Sequence, residues 1–445
     1  MNKVMLDITK EYNCDVLVAG GGVSGISAAV NAARRGANVI LCEADGYLGG
    51  TATRGLVGPF MTCYDRKGEN QIIRGFFQEF VDRLIAEGGA IHHSKCPGGD
   101  SFAGYRSKGH YGVTPVEPEV IKIVAEKMCN EAGVKLLYHS RVIGCNTEDN
   151  RIKSAYIATP AGVELINAKV YIDTTGNAAL AEKSGAEVVF GDEDGFVQTA
   201  SLFFRINGVN KEKLDGEIAK TTDDRGRFFM DVIEEASRKG EFPCGTLKLR
   251  IYEGAKGTWV VNMAQEDSTV VDFDTEAVTS AEIAQRVQVQ KIFEFLKNNI
   301  PGLENINMVE TASGIGIRES RRIVGKTVLS KDDLLNSRHY DERVAVCSNS
   351  IDVHMKKGVE YWTCENNYYI PLSCLISKNI TNLMGAGKTM SADKYAFAAV
   401  RVMPPCFAMG EAAGITAALA KDGNVSDVGV KDVQKIIVEN GGYLE

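Results

Sequence analysis

The chain has 445 residues, 44% of them hydrophobic and 24% charged, which predicts a well-packed soluble protein of two or three domains. A formal net charge of −8 without a long Lys/Arg run argues against nucleic-acid binding, and no apolar run approaches the roughly 18 residues of a membrane span. The first residues lack a secretory signal, and eleven scattered cysteines without a CxxC pair predict reduced thiols in the cytoplasm, with no metal site and no disulfide framework.

The first strong pattern is a βαβ unit. Residues 15–19, DVLVA, read as a strand; GGGVSG at 20–25 fits GxGxxG; ISAAVNAARRG reads as a helix ending at Gly36; and ANVILCEAD is a second strand. Gly20 allows the tight turn, Gly22 lets the backbone approach a pyrophosphate, and Gly25 lets the helix pack closely. Glu43 ends the second strand, where a carboxylate can accept both ribose hydroxyls of an adenosine. The unit predicts a bound dinucleotide rather than a plain glycine turn.

The residues after Glu43 favour FAD over NAD. Gly46, Gly49, Gly50, Thr51 and Thr53 follow the acid directly. A Gly-Gly at this point is typical of flavoproteins, in which the chain turns back along the pyrophosphate toward the flavin. The alternative is a glycine-rich surface loop.

Helices and short strands fill the chain up to residue 189. Residues 71–87 place apolar side chains on one helical face, and Thr114-Pro115 is expected to open a second helix through Met128. The runs VKLLYH, SAYIAT and VELINA read as strands of a β-meander, and KVYID then leads into Thr174-Thr175-Gly176. Val142 is either an adenine contact through its backbone or a plain core residue.

Residues 190–345 carry no nucleotide motif and are the candidate cap or substrate domain. Thr279-Ser280-Ala281-Glu282 fits a capping box ahead of a helix that ends at Pro301-Gly302. The stretch SGIGIRESRR at 313–322 has Glu319 where a second GxGxxG needs glycine. Its charged residues Arg318, Glu319, Arg321 and Arg322 form either a solvated face or the lining of a pocket for an anion.

The stretch NLMGAGKTMSA at 382–392 resembles a phosphate loop, but a Walker A motif would need glycine at position 382, which is Asn382. We interpret it as a strand whose Gly385-Ala386-Gly387 turn approaches the cofactor, with Lys388 on the flavin side. Pro404-Pro405 then begins an Ala-rich helix, whose partly positive N-terminus would stabilise an anionic reduced flavin if it pointed at it.

These pieces together resemble a known family, the FAD-dependent oxidoreductases distantly related to the fumarate reductase and succinate dehydrogenase flavoproteins. The similar stretches span nearly the whole chain: VAGGGVSGISAAVNAARRGANVILCEADGYLGGTATRG, VYIDTTGNAALAEKSGA, GIRESRRIVG, IDVH at 351–354, and YYIPLSCLISKNITNLMGAGKTMSADKYAFAAVRVMPPCFAMGEAAG.

The resemblance implies an α/β fold with a Rossmann-like FAD-binding domain of the glutathione-reductase type and an inserted α+β cap. We therefore expect FAD-binding segments at 1–189 and 346–445, the cap at 190–345, and a cytoplasmic bacterial redox enzyme. Thr51 stands near the glycine turn where covalently linked relatives use histidine, so noncovalent FAD is expected. The predicted cofactor-binding residues are Gly20, Gly22, Val23, Ser24, Gly25, Glu43, Ala44, Gly49, Gly50, Thr51, Thr53, Arg54, Val142, Thr175, Gly176, Gly387, Lys388 and Pro405.

The candidate catalytic residues are His354, Arg401 and Lys394. In an extended strand Asp352 and His354 face the same side, and His354 has a reference pKa suited to proton transfer, unless it is an ordinary buried histidine. Arg401 can bind a carboxylate through two hydrogen bonds, neutralise the charge of reduced flavin or have a purely structural role. Lys394 stands where relatives often carry histidine, which leaves the substrate open. Tyr395 is a weaker candidate, and Cys63 is either redox-active or, as scattered cysteines usually are, packing.

The sequence thus predicts hydride transfer between flavin N5 and a small polar or anionic organic substrate, with an external electron donor or acceptor. The alternatives are a flavin monooxygenase or oxidase using oxygen and a non-catalytic FAD-binding protein. Monooxygenases tend to carry Gly-Asp where this chain has Gly387-Lys388. No membrane or nucleic-acid partner is expected, and homo-oligomer formation is left open.

Overall fold

A computed structural model describes residues 5, 7–96, 112–192, 195–223, 226–245, 247–265, 270–355 and 358–445. The strands, in chain order, are β1 (Ile8–Ala19), β2 (Val39–Cys42), β3 (Lys135–Leu137), β4 (Arg141–Glu148), β5 (Arg151–Thr159), β6 (Gly162–Asp173), β7 (Val188–Val189), β8 (Phe204–Asn207), β9 (Ile251–Glu253), β10 (Trp259–Val261), β11 (Asn307–Thr311), β12 (Arg322–Ile323), β13 (Arg343–Cys347), β14 (Ile351–His354), β15 (Val359–Trp362), β16 (Tyr368–Pro371) and β17 (Leu383–Gly385).

The helices are α1 (Val23–Ala33), α2 (Phe76–Ala86), α3 (Pro118–Glu131), α4 (Ala179–Lys183), α5 (Lys211–Thr221), α6 (Met230–Arg238), α7 (Thr275–Asn299), α8 (Lys331–Leu335), α9 (Lys394–Val400), α10 (Met403–Leu419) and α11 (Val430–Glu439). No single helix among the described residues is long and apolar enough to cross a membrane. The pair α9 and α10 passes that test jointly, by length and composition only, and is bent by 95°.

The main sheet has seven strands within the described residues. Its order is β3-β2-β1-β6-β5-β4, and β17 also pairs with β6. The pairs among β1, β2, β3, β6 and β17 are parallel, whereas β4, β5 and β6 form an antiparallel meander. A parallel sheet flanked by helices confirms the predicted α/β, Rossmann-like fold.

The register of the parallel strands brings their carboxyl ends to one edge. Ala19 is aligned with both Cys42 and Asp173, and Gly385 is aligned with Asp173. The loops that follow these four residues therefore meet at the same place, which is where open parallel sheets bind ligands.

Strand β6 differs from the prediction of two separate runs, VELINA and KVYID. It is one strand of 12 residues, whose first half pairs with β5 and whose last residues pair with β17. The polar residues between the two runs stay in the ladder because β1 pairs with β6 along almost its whole length. Backbone pairing with two neighbours overrides the break in the side-chain pattern.

Two predicted helix starts are wrong. Helix α3 begins at Pro118 rather than at Thr114-Pro115, because Thr114 forms a β-bridge with Phe60. Helix α7 begins at Thr275, capped by Asp274, whose side chain accepts a hydrogen bond from the Ala277 amide. The predicted capping-box residues 279–282 thus lie inside the helix.

A second, four-stranded antiparallel sheet with the order β11-β8-β10-β9 forms the centre of the cap. Apolar residues of α5, α6 and α7 pack with it in a hydrophobic cluster drawn mainly from residues 202–312. Buried residues from Leu329 onward pack with the main sheet's helices instead. The domain limits at residues 189 and 345 remain predictions.

Candidate functional site

Two helix N-termini meet at the carboxyl edge of the main sheet. Helices α1 and α10 begin after Gly22 and Val402, and no side chain caps either start. The Ser24 hydroxyl at the start of α1 donates to the Cys406 carbonyl in α10 at 2.9 Å. The first-turn amides of α1 and the positive dipole ends of both helices make this point favourable for a negatively charged group, although Pro404 and Pro405 in the first turn of α10 have no N–H to donate.

Glycines allow the neighbouring turns to touch these helix starts. Gly20 has φ +103°, and a Cβ there would lie 2.5 Å from the Thr174 carbonyl oxygen. Gly387 has φ +68°, and a Cβ there would lie 2.3 Å from the Ser24 hydroxyl. Side chains at these two positions would hold the turns apart. They would distort the site formed by the turns at 20–22, 174–176 and 385–387 and the starts of α1 and α10, which we call the cradle.

The Gly-Gly after the acid also reaches the cradle. Gly49 forms a parallel bridge with Gly22, and a Cβ on Gly50 would lie 2.8 Å from the Gly22 Cα. A Cβ on Gly25 would lie 1.9 Å from the Gly20 carbonyl oxygen, so only glycine fits where α1 leaves the turn. The predicted glycines of the cradle therefore lie together.

Glu43 lies at the end of β2 as predicted. Its carboxylate accepts hydrogen bonds from the Gly21 amide at 2.6 Å and from the Asp45 amide at 2.8 Å. Burial raises the pKa of this carboxyl, while the two amides act in the opposite direction. The side chain is thus fixed beside the glycine turn, and its contact with ribose remains a prediction.

The turn at 174–176 depends on Asp173, which sequence reasoning missed. This fully buried carboxylate accepts from the Thr175 amide and hydroxyl at 2.9 and 2.6 Å, and from the Ala181 amide at 2.9 Å. Thr174 donates to the carbonyl of Gly20 at 2.7 Å. The strand-ending acid directly before Thr-Thr-Gly was the available signal.

Lys388 connects the turn at 385–387 to the cap. Its ammonium donates to the Ile317 carbonyl at 2.6 Å and lies beside Gly176, where a Cβ would be 3.7 Å from Nζ. Burial lowers the pKa of Lys388, and the charge of Asp272 acts against that shift. A partly buried cation near the starts of α1 and α10 suits an anionic cofactor.

The predicted cofactor-binding residues that follow Gly50 lie in different environments. The Thr53 hydroxyl is buried and donates to the Leu48 carbonyl at 2.9 Å, so it supports the loop from inside. Arg54 is exposed, pairs with Asp45 at 3.3 Å and lies against Gly314. Thr51 is partly exposed on the same loop.

Four further predicted cofactor-binding residues differ in how far they are exposed. Ala44 is exposed, Pro405 is buried in the first turn of α10, and the Val142 side chain is buried in a hydrophobic cluster. The position in that cluster agrees with the interpretation of Val142 as a core residue. A contact of the Val142 backbone with adenine remains a prediction. Val23 is buried in the first turn of α1.

Asp352, His354 and Arg401 lie together at the junction with the cap. His354 Nε2 is 3.3 Å from Asp352 Oδ2, and Arg401 Nη2 is 3.4 Å from Asp352 Oδ1. Gln198, which sequence reasoning missed, accepts from both the His354 amide and Arg401 Nη2 at 3.2 Å through its side-chain oxygen. No sequence signal marked Gln198, since it lies in an unpatterned loop.

The environment of His354 changes its predicted chemistry. Burial, with the charge of Arg318 acting in the same direction, lowers the pKa of His354 to about 3, although Asp352 favours the protonated ring. The ring is therefore neutral at physiological pH. Because a carboxylate only accepts hydrogen bonds, the Nε2 that faces Asp352 carries the hydrogen.

The other catalytic candidates lie in different surroundings. Lys394 donates to Asp192 at 2.6 Å and lies over the Phe196 ring at 4.6 Å. Tyr395 packs edge-on against Trp362. Cys63 is buried, its thiol contacts the Gly112 carbonyl at 3.1 Å, and burial raises its pKa, which favours the packing interpretation.

The charged run at 318–322 is not one solvated face. Glu319 and Arg322 form a fully buried ion pair at 2.6 Å. Arg321 donates to the Asn177 carbonyl at 3.1 Å, whereas Arg318 donates to the Thr199 carbonyl beside the His354 strand. The run therefore joins the cap to the cradle, and one of its arginines reaches the candidate site.

The residues at the sheet edge fit a dinucleotide cofactor. The glycine turns leave room for the close approach of a pyrophosphate, and the helix starts and Lys388 favour its negative charge. Glu43 is fixed beside the glycine turn, as the predicted ribose contact requires.

The comparisons agree with this geometry. The profile of the family described as FAD dependent oxidoreductase matches residues 15–437, and the chain belongs to this family. FAD is its cofactor, and the protein is an FAD-dependent oxidoreductase. The predicted family is thereby confirmed, while the distant link to fumarate reductase remains a prediction. No curated protein sequence matched this chain.

Solved structures are similar to this chain at low identity and with TM-scores below 0.5. A geranylgeranyl bacteriochlorophyll reductase-like protein from Thermoplasma acidophilum is 14% identical, covering 96% of this chain and 84% of its own, with a TM-score of 0.48. The p-nitrophenol 4-monooxygenase PnpA from Pseudomonas putida is 12% identical over 97% and 85%, with a TM-score of 0.48. The flavin-dependent brominase Bmp2 is 11% identical over 97% and 84%, with a TM-score of 0.47.

Proposed function

We propose that this oxidoreductase transfers a hydride between FAD and a small polar or anionic organic substrate, as a dehydrogenase or reductase with an external electron partner. Bound FAD, held without a covalent link, supplies the hydride and electron chemistry that side chains lack. The observation that carries the proposal is the cluster of Asp352, His354 and Arg401, which lies at the cap junction beside the start of α10.

Arg401 is proposed to orient the substrate. Gln198 and Asp352 hold its Nη2, while its buried Nε has no hydrogen-bond partner among the described residues. A guanidinium that is held through one nitrogen can still donate hydrogen bonds from its other N–H groups to a planar group that carries oxygen atoms. Its side chain is 13% exposed, so such a bond would be well shielded from water.

Asp352 is proposed to exchange the substrate proton. Its side chain is 38% exposed, compared with 11% for His354, so it is the more accessible acceptor of the pair. The neutral His354 ring donates to Oδ2 and fixes the carboxylate, and a substrate hydroxyl or amine would approach Oδ1 on the side of Arg401. His354 then acts as a positioning residue, and the ion pair of Lys394 with Asp192 favours a structural role there.

The test is anaerobic bleaching of the FAD-loaded protein across a set of small hydroxy acids, amino acids and uncharged alcohols. We expect a subset to bleach the flavin, and Arg401→Met to slow that bleaching roughly 100-fold through lost orientation, with Arg401→Lys between the two. Arg338→Met, at an exposed arginine that pairs with Asp333 at 3.2 Å, is the control and should bleach like wild type.

Two results would contradict the proposal. Reduction only by a nicotinamide, followed by oxygen incorporation into an organic compound, would favour a monooxygenase. Failure of every donor to bleach the flavin, together with failure of every acceptor to reoxidise chemically reduced protein, would favour a non-catalytic FAD-binding protein.

A further inference from the structure

Arg318 brings a second guanidinium from the cap side to the candidate site. Its Nη1 donates to the Thr199 carbonyl, and the Thr199 amide donates to the His354 carbonyl at 3.2 Å. The Thr199 hydroxyl accepts from Gln265 at 3.0 Å, which fixes this segment against the cap. Arg318 therefore contacts the loop that is hydrogen-bonded to the His354 strand, and its side chain is only partly buried.

Positive charge at this point exceeds the negative charge among the described residues. Arg318 forms no ion pair within the part of the chain that the structure describes, and Arg401 reaches Asp352 only at 3.4 Å. Burial, with the charge of Arg401 acting in the same direction, lowers the pKa of Arg318 to about 9, although Asp352 acts against that shift. Arg318 and Arg401 contact the neighbouring residues Thr199 and Gln198, so their like charges repel each other, and a bound anion would offset that cost.

We propose that Arg318 forms the cap-side half of an oxyanion site whose other half is Arg401, and that the substrate carries a carboxylate or similar oxyanion group bound there. The inference rests on the proposed function because Arg401 belongs to both. It goes further by assigning the anionic group to Arg318, whose role the sequence left undecided.

The donor geometry sets the chemical class of the ligand. Asp352 already occupies Nη2 of Arg401, so an incoming anion uses the remaining donors of Arg401 and those of Arg318. Guanidinium groups match planar or tetrahedral oxyanions through paired N–H bonds, which a single ammonium cannot reproduce. The exposed Asp352 carboxylate repels an anion from its own side and so directs it toward the cap.

The segment itself offers a matched control. Arg321 follows Arg318 by three residues, but its Nε donates to the Asn177 carbonyl at 3.1 Å, and its guanidinium pairs with Glu182 at 3.5 Å and lies over the Phe273 ring at 4.6 Å. Removing that charge tests for a general loss of positive potential, whereas removing Arg318 tests the proposed site.

The experiment titrates FAD-loaded protein with acetate and, separately, with inorganic phosphate, at constant ionic strength. Anion binding is read from the flavin absorbance and from the thermal unfolding midpoint, neither of which needs turnover. Wild type and Arg321→Met should bind with equal affinity, Arg318→Met should bind at least 10-fold more weakly, and Arg318→Lys should fall between. Preference for acetate over phosphate would identify a carboxylate, and the reverse a tetrahedral oxyanion.

Equal affinities of Arg318→Met and Arg321→Met, or no binding of either anion by wild type, would overturn the inference. Should Arg318→Met lose FAD or fold poorly, Arg318→Lys and Arg318→Gln provide the same comparison and are expected to weaken binding in the same direction. Arg318-dependent anion binding without any substrate bleaching would count against the proposed function alone, and bleaching without Arg318 dependence would count against this site alone.

Discussion

His93 and His354 are the same residue type, with the same ordinary pKa of 6.5, yet neither is protonated near neutral pH. Burial lowers the pKa of His93 to about 4 and that of His354 to about 3. His93 lies among the rings of Phe77 and Tyr64, whereas His354 lies among charged groups. Residue type alone indicates a proton-transfer candidate, but desolvation decides which form of the ring is present.

The pH dependence of stability should reveal the neutral His354. Its folded pKa lies below the unfolded value, so the unfolded chain binds the proton more readily; the stability from the neutral ring is complete above about pH 6.5 and is lost as the pH falls toward about 3. His354→Gln removes this dependence. Between about pH 7.5 and about pH 5, wild type should therefore lose on the order of 1–2 kcal/mol relative to the variant in urea unfolding.

The exposed His339 provides the control, because solvent reaches that ring in the folded and unfolded states alike. His339→Gln should follow wild type across the same pH range. Unfolding free energies of wild type and His354→Gln that differ by a constant amount would show that the ring titrates normally in the folded protein.

The close packing of α1 against α10 is a feature that sequence patterns predict poorly. Gly410 and Gly414 of α10 lie directly on α1, where a Cβ would be 2.2 Å from the carbonyl oxygens of Ser24 and Ala28, respectively. The two helices therefore pack backbone to backbone, and this contact sets the position of the α1 start in the cradle. Glycine lowers helix propensity, so its cost in α10 is offset by close packing.

Gly414→Ala should destabilise the protein by about 1–3 kcal/mol, because the added methyl group forces the two helices apart. The displaced α1 start should also weaken FAD binding, measured by flavin fluorescence in titrations of the apoprotein. Gly216→Ala in α5 is the control: its Cβ would meet nothing within 4 Å, so it should stabilise by up to about 1 kcal/mol. Equal effects of the two substitutions would contradict this account.

At the scale of the whole molecule, a buried ion pair joins the cap to the main sheet's helices. Arg205 of β8 pairs with Glu117, the residue that precedes α3, and both side chains are 7% exposed. Glu310 of β11 adds a second contact to Arg205 at 2.9 Å, and the Thr258 hydroxyl donates to Glu117 at 3.1 Å. Such a network fixes the cap over the cradle only while all partners are present.

Arg205→Met should lower the free energy of unfolding by about 3–5 kcal/mol, because the buried Glu117 carboxylate then loses its cationic partner. Adding Glu117→Gln should recover part of that loss. Arg286→Met is the control: its side chain is 50% exposed, and Glu282 keeps the hydrogen bond from the Ile315 amide, so the loss should be less than about 1 kcal/mol. A loss at Arg205 no larger than that at Arg286, in urea unfolding followed by tryptophan fluorescence, would show that the pair does not join the regions.

The sequence by itself determined the βαβ unit, the acid at Glu43, the strand before Gly387 and the FAD-dependent family, because these depend on local spacing of glycines, apolar residues and a terminal acid. Helix starts were less certain, since a β-bridge at Thr114 and a cap at Asp274 compete with the local pattern.

Only the tertiary structure decided the chemistry of the candidate site. Gln198, Arg318, His354 and Arg401 come from four separate parts of the chain, and no spacing rule connects them. The structure also paired Lys394 with Asp192 and buried the His354 ring. Charge and proton affinity depend on which groups fold next to each other and how much water remains, and that information is absent from any single stretch of sequence.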